Sequence, residues 1–170
     1  MFQATYQRGF TNIITGYTGG IVSDGYGAVL VGSAVATPIG AFAFDVTQSN
    51  TRLKQGDQTG QSYKLSYSKL MAETNTNFTI AAYRYSTSGY LSLQDAVYSR
   101  DNERKGLSVD AVNRQRSEYQ LTLNQGLGDN YGSLYITGSV RDYWNRGGST
   151  KQYQVGYNNY YSRVTYGLSA

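Results

Sequence analysis

Cysteine and histidine are both absent from the 170 residues, and proline occurs once. Without cysteine there is no disulfide scaffold, no thiol nucleophile and no thiolate metal site. Without histidine the commonest general base and metal ligand is missing. Charged residues make up only 15% of the chain, well below the roughly 25% of ordinary soluble domains. Nowhere do about 18 apolar residues run together, which excludes a transmembrane helix. The mean hydropathy of −0.49 agrees with that, yet leaves a membrane barrel open, because only alternate residues of a barrel strand need be apolar. The acids lie mostly in turns or beside basic residues, and Thr18-Gly19-Gly20 sits inside a strand pattern with no helix after it. No paired carboxylates, phosphate cradle or metal cluster emerges, so no catalytic residue, cofactor or metal is expected. The net charge of +4 is dispersed, and its densest stretch, Arg100 to Arg116, mixes both signs. That reads as a solvated external loop rather than a nucleic-acid surface, and no nucleic-acid partner is expected.

What the chain has instead is tyrosine (18 residues), glycine (20 residues) and a persistent period of two. Phe42, Phe44 and Val46 alternate with Ala43, Asp45 and Thr47. Leu65 and Tyr67 alternate with Lys64 and Ser66, Leu121 and Leu123 with Thr122 and Asn124. Leu134 and Ile136 share a face with Val140, opposite Arg141. In a soluble sandwich the apolar face would be core; in an outer-membrane barrel it meets lipid, and the small polar face lines the lumen. A solvent face usually carries Lys and Glu, whereas here it carries Ser, Thr, Gln and Asn, which favours the barrel. On that reading Phe42, Phe44, Val46, Leu65, Tyr67, Leu121, Leu123, Leu134 and Ile136 face lipid. Asp45, Lys64, Ser66, Thr122, Asn124 and Arg141 face the lumen, with Asp45 partnered by a lumen cation such as Lys64.

Strand-like runs cover about 2–8, 12–22, 26–37, 39–49, 60–70, 76–91, 115–126, 131–144, 150–158 and 160–169. No segment has a 3.6-residue apolar period, so the expected fold is all-β, an antiparallel meander of about ten strands. Connectors near 24, 38, 129 and 159 are short, and those near 50–60 and 100–114 are long and polar. Short turns on one side and long loops on the other are the habit of outer-membrane barrels. Met1-Phe2-Gln3 leads directly into strand-like sequence with no secretory leader, so a membrane reading implies a mature segment or a fragment.

The run Tyr83, Arg84, Tyr85, Ser86, Thr87, Ser88, Gly89 and Tyr90, with Gly40 to Ser49, Gly60 to Tyr63, Tyr67 to Lys69 and Thr76-Asn77, closely resembles the outer-membrane ushers of chaperone–usher pili. Tyr143-Trp144, Gln154 to Tyr157 and Tyr166 to Ser169 look like later motifs of that family. The resemblance runs in order from about Tyr6 to the end. It implies that residues 1–170 form one unit, the central-to-late part of an usher translocation-pore barrel in the outer membrane of a Gram-negative bacterium. It implies pilus subunits, periplasmic chaperone–subunit complexes and outer-membrane lipid as partners, for the export and assembly of fimbrial subunits. Counterparts of the family's recruiting, plug and C-terminal domains are not apparent, so the 170 residues alone are not expected to be competent. Two alternatives stay open: a small self-closed barrel acting as a passive pore or inert scaffold, and a soluble sandwich binding module.

Overall fold

The computed structural model describes residues 1–54, 56–107, 113–128, 131–161 and 164–169. The alternation becomes one ten-stranded antiparallel sheet whose spatial order equals its chain order. Its strands are β1 (Phe2–Gly9), β2 (Ile14–Ser23), β3 (Tyr26–Thr37), β4 (Gly40–Thr51) and β5 (Gln58–Met71). They continue as β6 (Thr76–Ser86), β7 (Gln115–Gly126), β8 (Ser133–Tyr143), β9 (Ser149–Tyr161) and β10 (Val164–Ser169). Among the described residues β1 and β10 pair only with β2 and β9, so the sheet is an open segment of a barrel wall. The self-closed small barrel is therefore not the arrangement found.

Register assigns the two faces. Asp45 stands opposite Gly32 and Lys64, and Phe44 opposite Ser33 and Leu65. A one-residue slip would exchange every side chain between faces, and two slips occur. β6 carries an extra residue between Thr79 and Tyr83, so its dyad changes phase there. β7 carries another at Arg116, between Gln115 and Ser117.

The expectation of a nearly pure β chain is corrected by one helix, α1 (Leu93–Arg104). Strand β6 ends at Ser86 instead of near 91, and residues 87–92 turn inward over the polar face. The Ser92 hydroxyl accepts from the Asp95 N–H at 3.2 Å, which caps the helix, and donates to the Asp95 carboxylate at 2.7 Å. At the other end Gly106 takes φ 71°. Its N–H reaches the Glu103 carbonyl, and the Leu107 N–H reaches the Asn102 carbonyl at 2.8 Å, the double bond of a Schellman stop. Thus residues 100–104 of the expected loop are helical, while residues 108–112 lie outside the described residues.

Among the described residues, the buried apolar side chains form one small cluster under this helix. Leu91 (1% exposed) and Ala96 pack on Tyr26, Ala28 and Leu53, with Ile21 and Leu93 beside them. Elsewhere large apolar side chains are open: Phe44 is 47% exposed, and Val29, Val31, Leu65 and Tyr153 more so. A water-soluble sheet of this size would cover such a face.

The connectors after β1, β3, β5 and β7 fall at one end of the sheet, and those after β2, β4, β6 and β8 at the other. The short Glu73 connector therefore belongs with the short turns. The tight Ser23–Tyr26 turn is the exception, since it shares its end with the long loops.

Candidate functional site

The polar face carries a continuous row of charge. Paired register places Gly32, Asp45, Lys64, Arg84, Glu118 and Arg141 side by side across β3 to β8. Tyr17 of β2 adjoins Gly32, and its hydroxyl donates to Asp45 Oδ2 at 3.2 Å. That reach needs a glycine at 32, because a Cβ there would stand 2.5 Å from the Tyr17 ring and 2.7 Å from Asp45 Cβ. Asp45 thus takes its hydrogen bond from Tyr17, not from Lys64 as the alternation suggested.

At the other end of the row Arg141 Nε donates to Glu118 Oε1 at 2.7 Å, and Gln115 Nε2 to Glu118 Oε2 at 3.1 Å. Between these satisfied acids lie Lys64 and Arg84, directly opposed and without an ion pair to any described residue. Like charges facing each other across a ladder destabilise it. The row Asp45, Lys64, Arg84, Glu118 and Arg141 thus holds three bases and two acids, with the two bases at its centre each flanked by an acid on the outer side.

Segment 87–92 and α1 form a strap over this row. A cavity of about 750 Å³ lies between α1 and β6 to β8, lined by Arg84, Tyr90, Asp95, Tyr98, Glu118 and Arg141 among others. The strap is pinned in several places. The Tyr26 hydroxyl donates to the Leu91 carbonyl at 3.3 Å, and the Leu91 N–H to Ser49 Oγ at 3.4 Å. Thr87 N–H bonds the Gln61 carbonyl, and the Trp144 indole donates to the Ser86 carbonyl at 2.9 Å. Arg100 bonds both the carbonyl and the carboxylate of Asp24 in the β2–β3 turn, and the Lys54 N–H donates to Glu103 at 3.0 Å. Outside the strands, Arg100's hydrogen bond and charge hold the Asp24 carboxyl below its ordinary value. Burial raises the Tyr90 phenol above its own.

All six residues expected on the lumen side, Asp45, Lys64, Ser66, Thr122, Asn124 and Arg141, share the polar face by register. The nine expected on the lipid side, Phe42, Phe44, Val46, Leu65, Tyr67, Leu121, Leu123, Leu134 and Ile136, share the opposite one. Sequence reasoning named Arg84 only within the family motif, assigned neither it nor Glu118 to the polar face, and missed the strap. Two signals were available: the Ser92-Leu-Gln-Asp95 cap and the Lys105-Gly106 stop. Of the eight-residue motif, Tyr83 to Ser86 close β6, and Thr87 to Tyr90 open the strap.

Comparison with known proteins gives the arrangement its setting. The family described as outer membrane usher protein matches residues 1–170. The usher MrkC of Klebsiella pneumoniae is 44% identical over 170 residues, covering all of this chain and 20% of that protein. HtrE of Escherichia coli is 42% identical over 182 residues, again covering all of this chain and 21% of that protein. The chain thus spans about one fifth of these curated relatives. Among solved structures, the P pilus usher (PapC) translocation pore superposes with a TM-score of 0.73 at 26% identity, over 98% of this chain and 34% of that one. PapC in the P pilus tip assembly intermediate with PapD, PapK and PapG gives 0.70 at 27% identity, over 96% and 20%. An exposed apolar face, a polar face with a charged row, and a match along its full length lead to one conclusion: the chain belongs to the outer membrane usher family.

Proposed function

We propose that residues 1–170 are one unit of an usher, a section of the wall of its translocation pore, through which pilus subunits delivered by a periplasmic chaperone pass to the cell surface. The observation that carries this reading is the separation of faces. Asp45, Lys64, Ser66, Thr122, Asn124 and Arg141 then line the lumen, and Phe42, Phe44, Val46, Leu65, Tyr67, Leu121, Leu123, Leu134 and Ile136 meet outer-membrane lipid. The end bearing the strap and the longer loops faces outward, and the short turns face the periplasm. The acids of the row are engaged by Tyr17, Arg141 and Gln115. Its role is a hydrated surface of fixed polarity. The PapC–PapD–PapK–PapG assembly supports pilus subunits and chaperone as partners.

A segment exchange tests the proposal. The 170 residues replace the matching section of MrkC in cells lacking their own usher, and surface pili are counted. Pili are expected with the chimera and not with the 170 residues expressed alone. A chimera that inserts in the outer membrane but yields no pili would overturn the reading of this section as interchangeable pore wall.

A further inference from the structure

The apolar face is not uniform. Where β8 crosses it, Gly138 leaves a notch between Leu121 of β7 and Tyr153 of β9, with which it is in register. A groove of about 600 Å³ opens there, walled by Tyr83, Tyr119, Leu121, Ile136, Val140 and Tyr153. The Tyr83 and Tyr119 rings pack 5.1 Å apart along one side. From Val140 to Ile136 the groove runs along the strand for roughly 13 Å, at about 3.3 Å per residue. The β6 register slip lies beside it.

Polar side chains flank the groove at both ends: Lys69 and Gln125 share this face at the short-turn end, and a second group stands at the strap end. Lys151 stands opposite Val140, is exposed, and makes no ion pair with a described residue. Just beyond, Arg116, the extra residue of the β7 slip, lies 5.5 Å over the Trp144 ring. One acid lies nearby, and both its oxygens are engaged: Asp142 accepts from Ser117 at 2.7 Å and from Ser149 at 2.6 Å. An apolar slot topped by Lys151, by an indole and by Arg116 with the Asp142 carboxylate acting on it keeps a net positive charge, which matches an amphiphile with an anionic head and a straight apolar tail.

We propose that this groove is a binding site for a phosphate-bearing lipid of the leaflet on the strap side. One acyl chain lies along Gly138, and the phosphate sits at Lys151 and Arg116. The site rests on the reading of this face as the lipid face. It differs from general lipid contact in being a notch that holds one chain in place. Gly138 is the residue that creates it. A Cβ at that position would meet Tyr153 Cδ1 at 3.4 Å, an ordinary contact, so a larger side chain fills the slot without breaking the ladder.

The test uses a full-length usher containing this segment, purified in detergent and titrated with dipalmitoyl phosphatidylglycerol or phosphatidylcholine under native mass spectrometry. A retained phosphatidylglycerol is expected. Gly138→Leu should weaken its retention about tenfold. Lys151→Gln should reduce the preference for phosphatidylglycerol over phosphatidylcholine about fivefold while leaving the folded mass unchanged. Retention unaltered by Gly138→Leu overturns the groove, and a preference unaltered by Lys151→Gln overturns the head-group site. Nitroxide labels at Val31, on the same face away from the groove, separate this from the parent reading. A label relaxed by water-soluble rather than lipid-soluble agents would sink the lipid face itself. A lipid-exposed Val31 with unchanged retention in both variants sinks only the site.

Discussion

Gly60 of β5 lies directly beneath the backbone of Tyr90, in contact so close that a Cβ on Gly60 would overlap the Tyr90 amide nitrogen. The reciprocal approach, Gly89 against the Thr59 carbonyl, is equally tight. Two glycines, one in the wall and one in the strap, thus let backbone rest on backbone.

Gly60→Ala should lift the strap rather than unfold the sheet. Backbone cannot yield as a flexible side chain can, so a cost of about 1–3 kcal/mol is expected. It should appear as faster tryptic cleavage at Arg100, Arg104 and Lys105. Faster cleavage at Lys64 or Arg141 instead would mean that the wall had opened.

Lys64→Gln should change stability by less than about 0.5 kcal/mol, because it removes the like-charge opposition to Arg84 and the opposite-charge pairing with Asp45 together. Glu118→Gln should lower stability by about 1.5–3 kcal/mol, since the Arg141 guanidinium loses its charged acceptor. Urea unfolding of both variants in the same detergent, monitored by heat-modifiable gel mobility, compares the two magnitudes.

Phe44→Arg should cost about 2–4 kcal/mol where it lies near the bilayer midplane. Ser66→Arg, on the polar face near Lys64, should cost distinctly less. Equal penalties in a folding assay in lipid vesicles would contradict the assignment of the faces.

The Asp24–Arg100 contact should respond to acid in one direction only. The folded carboxyl value lies below the unfolded 3.8, so its contribution is complete above about pH 5 and fades as pH falls through the folded value. Protection factors of the α1 amides, taken against the intrinsic exchange rate at each pH, should therefore fall below about pH 4. Asp24→Asn should remove that acid step.

The wall was legible in the sequence because each strand repeats its own evidence: Phe42, Phe44 and Val46 carry the facing of β4 unaided. Arg84 was not, because the extra residue in β6 breaks the alternation that would have tied it to the apolar and polar faces read elsewhere. α1 was missed for a related reason. Leu91 and Ala96 anchor it through few apolar contacts, while its ends are fixed by Ser92, Asp95 and Gly106. A search for apolar period looks at the middle of a helix, and here the information sits at its ends.

Because spatial order follows chain order, every strand finds its partner among its immediate chain neighbours, and loop closure is cheap at each step. The strap is different. Tyr26 meets Leu91 across 65 positions, and Trp144 meets Ser86 across 58. Hairpins should therefore zip successively into the bilayer, with those two distant contacts forming last. Pulse-labelled chains carrying cysteines at Tyr26 and Leu91 should crosslink only after strand protection is complete. Crosslinking ahead of protection would place the strap at the start of assembly.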